Sequence, residues 1–392
     1  MAKLKTDEAD KNTVPIESAT FGFFRDEIAD VETGVRVFEA SSMKDPDGNS
    51  SGSYMLDYDL VVPFPEGRII EVFGGEGTGK STLCLEVIGR ALASNPEKKA
   101  CIVNMEKSLN MSLMRTVRSL CPFLDEALAN TKKDKKDCRL WIVNANTGEQ
   151  ALEAMKRFAE IVPGGIAVLD SIDAAQPEAI MAGAIGQNAV GNHAKLMSDA
   201  MRKLVGVAEA NRVTLIFVNQ IRDKITMYGD PMETPGGKAV RFYATQRIRL
   251  KTPTKADMIM AADGQIIGKL INYKIIKNKF SPEGTENAFP ILFKNGIFRE
   301  QELIIQCCNF GILGLGGKGG KQVYLPTIDR KTGEFIKKDG KIDGVWMTQF
   351  NAARKLLLDP DLFKKLDAEL NITLKNAHNN PVNMLDEVQD SK

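Results

Sequence analysis

The chain has 392 residues, 43% apolar and 26% charged, with 52 basic and 51 acidic side chains and a formal net charge of +1. That length exceeds one ordinary hydrophobic core and predicts a large domain with smaller additions. A near-neutral balance excludes nucleic-acid binding by bulk charge alone, so any such site must be a local patch offset by acids elsewhere.

The six cysteines are Cys84, Cys101, Cys121, Cys138, Cys307 and Cys308. They contain no C-x-x-C pair, and His193 and His378 are the only histidines, so a zinc site has almost no ligands to draw on. We read the cysteines as reduced packing residues. No apolar stretch reaches membrane-spanning length, which predicts a soluble cytoplasmic chain without a membrane partner.

Residues 1–50 read as an N-terminal arm, with a possible helix at 18–28, an apolar run at 35–38 and a loop rich in Ser, Gly, Asp and Pro at 42–53. Residues 51–300 alternate strand and helix patterns. Strands are predicted at 68–73 (RIIEVF), 99–104 (KACIVN), 165–170 (GIAVLD) and 213–219 (VTLIFVN), and helices at 80–93, 150–161 and 194–210. Short continuous apolar strands alternating with helices predict an α/β fold with a mostly parallel sheet covered on both faces. In the last helix Met197, Ala200, Met201, Leu204 and Ala208 share one side. Lys195, Ser198 and Arg202 share the other, as a solvated face or a binding stripe. Residues 301–378 read as a small α/β domain with a turn at 331–333 and a helix starting at Asp359-Pro360, whose Leu362, Phe363, Leu366 and Leu370 form an apolar side. Residues 379–392 read as a frayed tail.

Between the first strand and helix lies Gly74-Gly75-Glu76-Gly77-Thr78-Gly79-Lys80-Ser81, followed by Thr82. It fits G-x-x-x-x-G-K-[ST] in the strand–loop–helix context that motif requires. The glycines let backbone N–H groups cradle phosphate oxygens, aided by the helix dipole. Lys80 is expected on the outer phosphates of ATP and Ser81 on Mg²⁺. Asp170, ending a buried strand, would hold Mg²⁺ through water. Glu106, just past another strand, is a candidate general base, or a surface glutamate. Asn219-Gln220 ends a fourth strand and could sense the terminal phosphate. The long segment that follows carries Arg222, Lys224, Tyr228, Lys238 and Arg241. With the segment at 178–193, it suits single-stranded DNA or an active-site lid.

These residues carry a resemblance. LIFVNQIRDKI, GDPMETPGGKAVRFYATQRIRL, GSYMLDYDL, EGRIIEVFGGEGTGKSTL, SDAMRKLVG and YKIIKNK closely resemble the RecA family, over roughly residues 52–370. The resemblance implies a P-loop RecA-type ATPase core, a polymerisation arm and a small C-terminal domain. It implies a DNA-dependent ATPase that forms helical homo-oligomeric filaments on single-stranded DNA, pairs it with duplex DNA, and serves recombination, repair and the SOS response to DNA damage. Single-strand-binding and loader proteins would be its accessory partners.

Residue by residue, Glu106 matches the catalytic glutamate and Gln220 the nucleotide-sensing glutamine. Segments 178–193 and 221–241 match the two DNA-binding loops, with Val190 and Ile225 at the base-wedging positions and Gly236 and Gly237 closing the second. Lys195, Ser198 and Arg202 match backbone-holding residues. Lys277 and Lys279 match lysines that reach the neighbouring subunit's ATP, and Phe242 an inter-subunit position. Arg247, Lys251 and Lys274 lie near the family's secondary DNA site. The chain departs from the family at Asn104, for an aspartate; at Leu113, for an adenine-stacking tyrosine; at Asn272, for an arginine; at Val190, for a methionine; and through a basic insertion at 130–137. A ring-shaped helicase on the same core and a non-catalytic mediator are the alternatives; YKIIKNK and the C-terminal domain oppose the first. Retention of Lys80, Ser81, Glu106 and Asp170 opposes the second.

Overall fold

The computed structural model describes residues 41, 43–130, 138–181, 191–223, 232–233, 235–261, 263–317 and 322–379. Contacts group residues 47–392 into one compact unit apart from 1–46. The larger unit holds all of the helices and strands named from α1 to α11.

In chain order it begins α1 (Tyr54–Leu60), β1 (Ile69–Gly74), α2 (Lys80–Ser94), β2 (Ala100–Asn104), α3 (Met111–Arg115), α4 (Cys121–Asn130) and β3 (Leu140–Val143). It continues α5 (Gly148–Ile161), β4 (Ile166–Asp170), α6 (Glu178–Met181), α7 (Asn192–Asn211), β5 (Thr214–Gln220), β6 (Arg222–Asp223), β7 (Met232–Glu233), α8 (Gly237–Tyr243) and β8 (Gln246–Leu250). Next come β9 (Met258–Met260), β10 (Ile266–Asn278), β11 (Glu286–Leu292), β12 (Gly296–Ile297) and α9 (Arg299–Asn309). The C-terminal part adds β13 (Leu315–Gly316), β14 (Gln322–Pro326), β15 (Lys337–Lys338), β16 (Lys341–Ile342), β17 (Gly344–Thr348), α10 (Gln349–Leu358) and α11 (Pro360–Asn379).

The main sheet has the order β12-β11-β10-β8-β1-β5-β4-β2-β3. From β8 to β3 every pairing is parallel. β9 to β12 extend it antiparallel through β10. Successive strand residues feed opposite cores. Ile70, Val72, Ile102, Val168, Ile216 and Val218 enter one cluster. Ile69, Cys101, Val103, Ala167, Leu169, Leu215 and Phe217 enter the other. Both faces are covered, which is why these strands read as unbroken apolar runs. A third cluster joins α9, α10 and α11 to β14, and buries Leu362, Leu366 and Leu370.

Two side chains of α9 fasten this C-terminal part to α1. Arg299 donates to the Tyr54 hydroxyl and to Asp367, both at 2.8 Å, and lies over the Tyr54 ring. Glu302 accepts from the Ser53 hydroxyl at 2.6 Å and the Met55 N–H at 2.8 Å, while its second oxygen has no hydrogen-bond partner. Burial, helped by the nearby Asp57 carboxylate, pushes the Glu302 carboxyl up to about 7 from its ordinary 4.5. A group with a raised folded-state pKa contributes stability that is complete below the unfolded value and is lost as pH rises through the folded one. The contribution is therefore present below pH 4.5 and lost as pH passes about 7. Gln keeps both accepted hydrogen bonds without ionising. Relative to wild type, Glu302→Gln should gain up to about 3 kcal/mol between pH 5 and pH 8. Urea unfolding at the two values measures this; an unchanged difference would contradict it.

Candidate active site

The parallel strands deliver their carboxyl ends to one edge, where α/β folds bind ligands. Gly74 pairs with Gln220, and Asn104 with Asp170. The phosphate loop leaves β1 and runs into α2. Gly77 and Gly79 hold φ of 66° and 86°, in the left-handed region that glycine adopts readily. A Cβ on Gly74 would meet the Leu250 carbonyl oxygen at 2.3 Å, so β8 requires glycine there. Thr78 closes the loop on the Gly75 carbonyl at 2.9 Å. Lys80 folds over it, donating to the Gly74 and Gly75 carbonyls at 3.1 and 2.7 Å.

Ser81 donates to the Asp170 carboxylate at 2.6 Å. A hydroxyl and a carboxylate so placed beside a phosphate cradle are hard oxygen ligands that suit Mg²⁺. Burial raises the Asp170 carboxyl, and the Glu106 charge raises it further against the pull of Ser81 and Lys80. A bound cation would relieve both. Burial also lowers the Lys80 ammonium, against the pull of Asp170 and Glu106.

Bonding to β4 continues past the end of β2, because Met105 and Glu106 donate their N–H groups to the Asp170 carbonyl at 2.8 and 3.3 Å. This carries Glu106 next to Asp170. Its carboxylate accepts from the Ser171 hydroxyl at 2.5 Å and from the Gln220 amide at 3.0 Å. The peptide between Asp170 and Ser171 is cis. Asn219 donates to Glu71 at 2.8 Å and to the Pro235 carbonyl at 3.0 Å, so the strand end is tied to the return of the long segment. Asn104, in place of aspartate, donates to Asn144 at 3.2 Å. Leu113 is half-buried in the middle of α3.

The structure therefore brings Lys80, Ser81, Asp170, Glu106 and Gln220 together at one sheet edge. On α7, Lys195 is exposed, Ser198 half-buried, and Arg202 exposed and paired with Asp199. Gly236 and Gly237 start α8 at φ of 89° and 70°. Val190, Lys224, Ile225 and Tyr228 lie outside the described residues, as does the side chain of Arg222. Residues 1–40 and 42 of the arm, residues 131–137 of the insertion and the tail from 380 also lie outside them.

Arg247 lies on β8. Its guanidinium donates to Glu71 at 2.5 Å with 11% of the side chain exposed, and it stacks on Phe73. Placed there, its charge is paired and most of its side chain is covered. Lys251 and Lys274 are accessible, and both pair with Glu286. Together they hold the Glu286 carboxyl down at about 2. Asn272 donates to Asp257 at 3.0 Å.

Lys277 and Lys279 lie at the other edge. Tyr273 pairs with Leu250, which is level with Gly74, whereas Lys277 pairs with Arg247, level with Glu71. That is about three to four residue steps away, roughly 10–13 Å along the strands. Lys277 donates to the carbonyls of Arg241 and Phe242 at 3.1 and 2.9 Å. Phe242 is 74% exposed. With Arg68, Tyr243, Lys277, Lys279 and Phe280 it lines a groove of about 630 Å³. Burial lowers the Lys277 ammonium, and neighbouring Lys279 and Arg247 lower it further.

Sequence reasoning missed Ser171, Glu71 and Lys269, which donates to the Gly77 carbonyl. A glutamate within the apolar run RIIEVF was a visible signal for Glu71, since buried charges are nearly always paired. Nothing local marked the other two.

The chain matches the RecA N-terminal domain model over residues 32–298. It is similar to the protein RecA of Porphyromonas gingivalis, 36% identical over 270 residues, 68% of this chain and 72% of that one. It is similar also to protein RecA of Ruminococcus albus, 34% identical over 285 residues, 72% of this chain and 66% of that one. The chromosomal protein RecA of Lactococcus lactis is 33% identical over 291 residues, 74% of this chain and 69% of that one. Among solved structures, the RadB recombinase gives a TM-score of 0.45 at 21% identity, over 64% of this chain and 98% of that one. With its phosphate loop, Glu106 and Gln220 gathered at one sheet edge and the family model matched across that whole sheet, this chain is a divergent member of the RecA family.

Proposed function

We propose that this protein is an ATP-driven recombinase that polymerises on single-stranded DNA and pairs it with homologous duplex. The observation that carries the reading is the Glu106–Gln220 hydrogen bond, which joins the hydrolytic carboxylate to the strand that opens the second DNA loop. ATP lies on the phosphate loop, with Lys80 on its outer phosphates. Ser81 and Asp170 hold Mg²⁺, which neutralises phosphate charge when bound. Gln220 exchanges its bond to Glu106 for the terminal phosphate. Through Asn219 and its bond to Pro235, that exchange orders the segment between them on DNA. Freed from Gln220, Glu106 takes a proton from the attacking water.

Single-stranded DNA lies along Lys195, Ser198 and Arg202 of α7 and between the two loops. Its backbone is held by cations and its bases are wedged by Val190 and Ile225. Lys251 and Lys274 hold the incoming duplex. Lys277 and Lys279 complete the ATP site of the next protomer, since their own phosphate loop is at the opposite edge of the sheet. Residues 1–50 supply the polymerisation contact, and 301–378 form a small C-terminal domain. Electron microscopy with ATP, Mg²⁺ and single-stranded DNA should show helical filaments, and Lys80→Ala should abolish them. Closed rings, or filaments that ignore the substitution, would overturn the reading.

A further inference from the structure

Lys269 stands on β10 directly opposite Ile291 of β11. That face of the hairpin packs on the phosphate loop, where a Cβ added to Gly79 would meet Ile291 at 2.8 Å and Ile271 at 3.8 Å. The half-buried Lys269 ammonium donates to the Gly77 carbonyl at the crest of the loop. Lys80 has the same bonding pattern one turn away, on the carbonyls of Gly74 and Gly75.

The surroundings of Lys269 differ from those of Lys251 and Lys274. Lys251 and Lys274 share the Glu286 carboxylate. Lys269 has no acid partner among the described residues, and burial alone acts on its charge. An ammonium has three donors, of which the Gly77 carbonyl uses one. An uncompensated cation, partly withdrawn from water beside a cradle of N–H groups, is stabilised by a polyanion.

We propose that Lys269 is a second ammonium of the nucleotide site, reaching in from the adjacent strand to bind the polyphosphate by its charge. The inference rests on the reading of residues 74–81 as a nucleotide site. The competing role is a neutral tie between β10 and the loop, and it predicts a different pattern of substitutions. Lys269→Gln keeps a donor for the Gly77 carbonyl and loses the charge. Lys269→Met loses both.

The test is calorimetric binding of ATP and of inorganic tripolyphosphate, which lacks the base and ribose, to the full chain and to Lys269→Gln, Lys269→Met and Lys80→Ala. Both Lys269 variants should weaken both ligands by about tenfold, the size of one charge-assisted hydrogen bond. Binding by Lys269→Gln at the wild-type level would establish the neutral tie and overturn the proposal. Wild-type binding by both variants, with Lys80→Ala defective, would overturn it while leaving the nucleotide site intact. Undiminished binding by Lys80→Ala would overturn the nucleotide-site reading and this proposal with it. Unchanged thermal midpoints in the variants establish that any loss is local.

Discussion

Replacing Lys277 and Lys279 together with alanine is expected to lower ATP turnover on single-stranded DNA by about 10³-fold, the lower range for cationic side chains supplied in trans. The sheet register is the reason. Both lysines stand at the opposite edge from Lys80 of their own chain, so they act on a neighbour or not at all. Lys277 is crowded by the like charges of Lys279 and Arg247. A phosphate brought by the next protomer relieves that repulsion, most of all as charge develops during transfer. A mixing experiment separates this from simple misfolding. Glu106→Gln, which still assembles, supplies intact lysines, and the double variant supplies an intact phosphate loop and Glu106. In filaments mixed at random in equal amounts, about a quarter of the interfaces regain both halves of the site. Turnover in the mixture should rise to roughly that fraction of wild type. A mixture no more active than its components would contradict action in trans.

Glu106→Gln should lower the hydrolytic step by about 10²- to 10⁴-fold while ATP binding and filament assembly persist. A glutamine side chain fits the same space and can still accept from Ser171 and Gln220, but it cannot take a proton from water. The variant should therefore hold ATP and remain on DNA longer than wild type. Single-turnover hydrolysis and filament lifetime measure the two effects independently. Turnover within tenfold of wild type would remove Glu106 from the role of base. Loss of ATP binding would give it a structural role instead.

The parallel half of the sheet was legible because its strands are buried on both faces. RIIEVF, KACIVN, GIAVLD and VTLIFVN are continuous apolar runs, and each lies within a residue of an observed strand. β3 escaped notice. It is a sheet-edge strand of four residues in which Ile142 is 42% exposed, so its pattern is weak. β10 escaped for another reason. Lys269, Asn272, Lys274 and Lys277 interrupt its apolar residues, and its partners are set by pairing across the sheet.

The site divides in the same way. The phosphate loop is contiguous and carries its chemistry in its spacing. Asp170 and Gln220 each end a strand and Glu106 lies just past one, which are local signals, and sheet order then places them side by side. Ser171 and Lys269 enter through a peptide turn and a distant hairpin, so nothing in their immediate neighbours revealed them. The partners of Arg247 were not legible, because they come from a neighbouring strand. Its guanidinium is covered by Phe73 and closed by Glu71 from β1.

Strand exchange distinguishes a recombinase from a DNA-activated ATPase. Purified protein with ATP and Mg²⁺ is mixed with circular single-stranded DNA and either a homologous or a heterologous linear duplex. Joint molecules are expected with the homologous duplex alone, dependent on ATP and absent in Lys80→Ala. ATP hydrolysis stimulated by single-stranded DNA without any homologous joint would contradict the recombinase reading, and would leave a DNA-activated ATPase that does not pair.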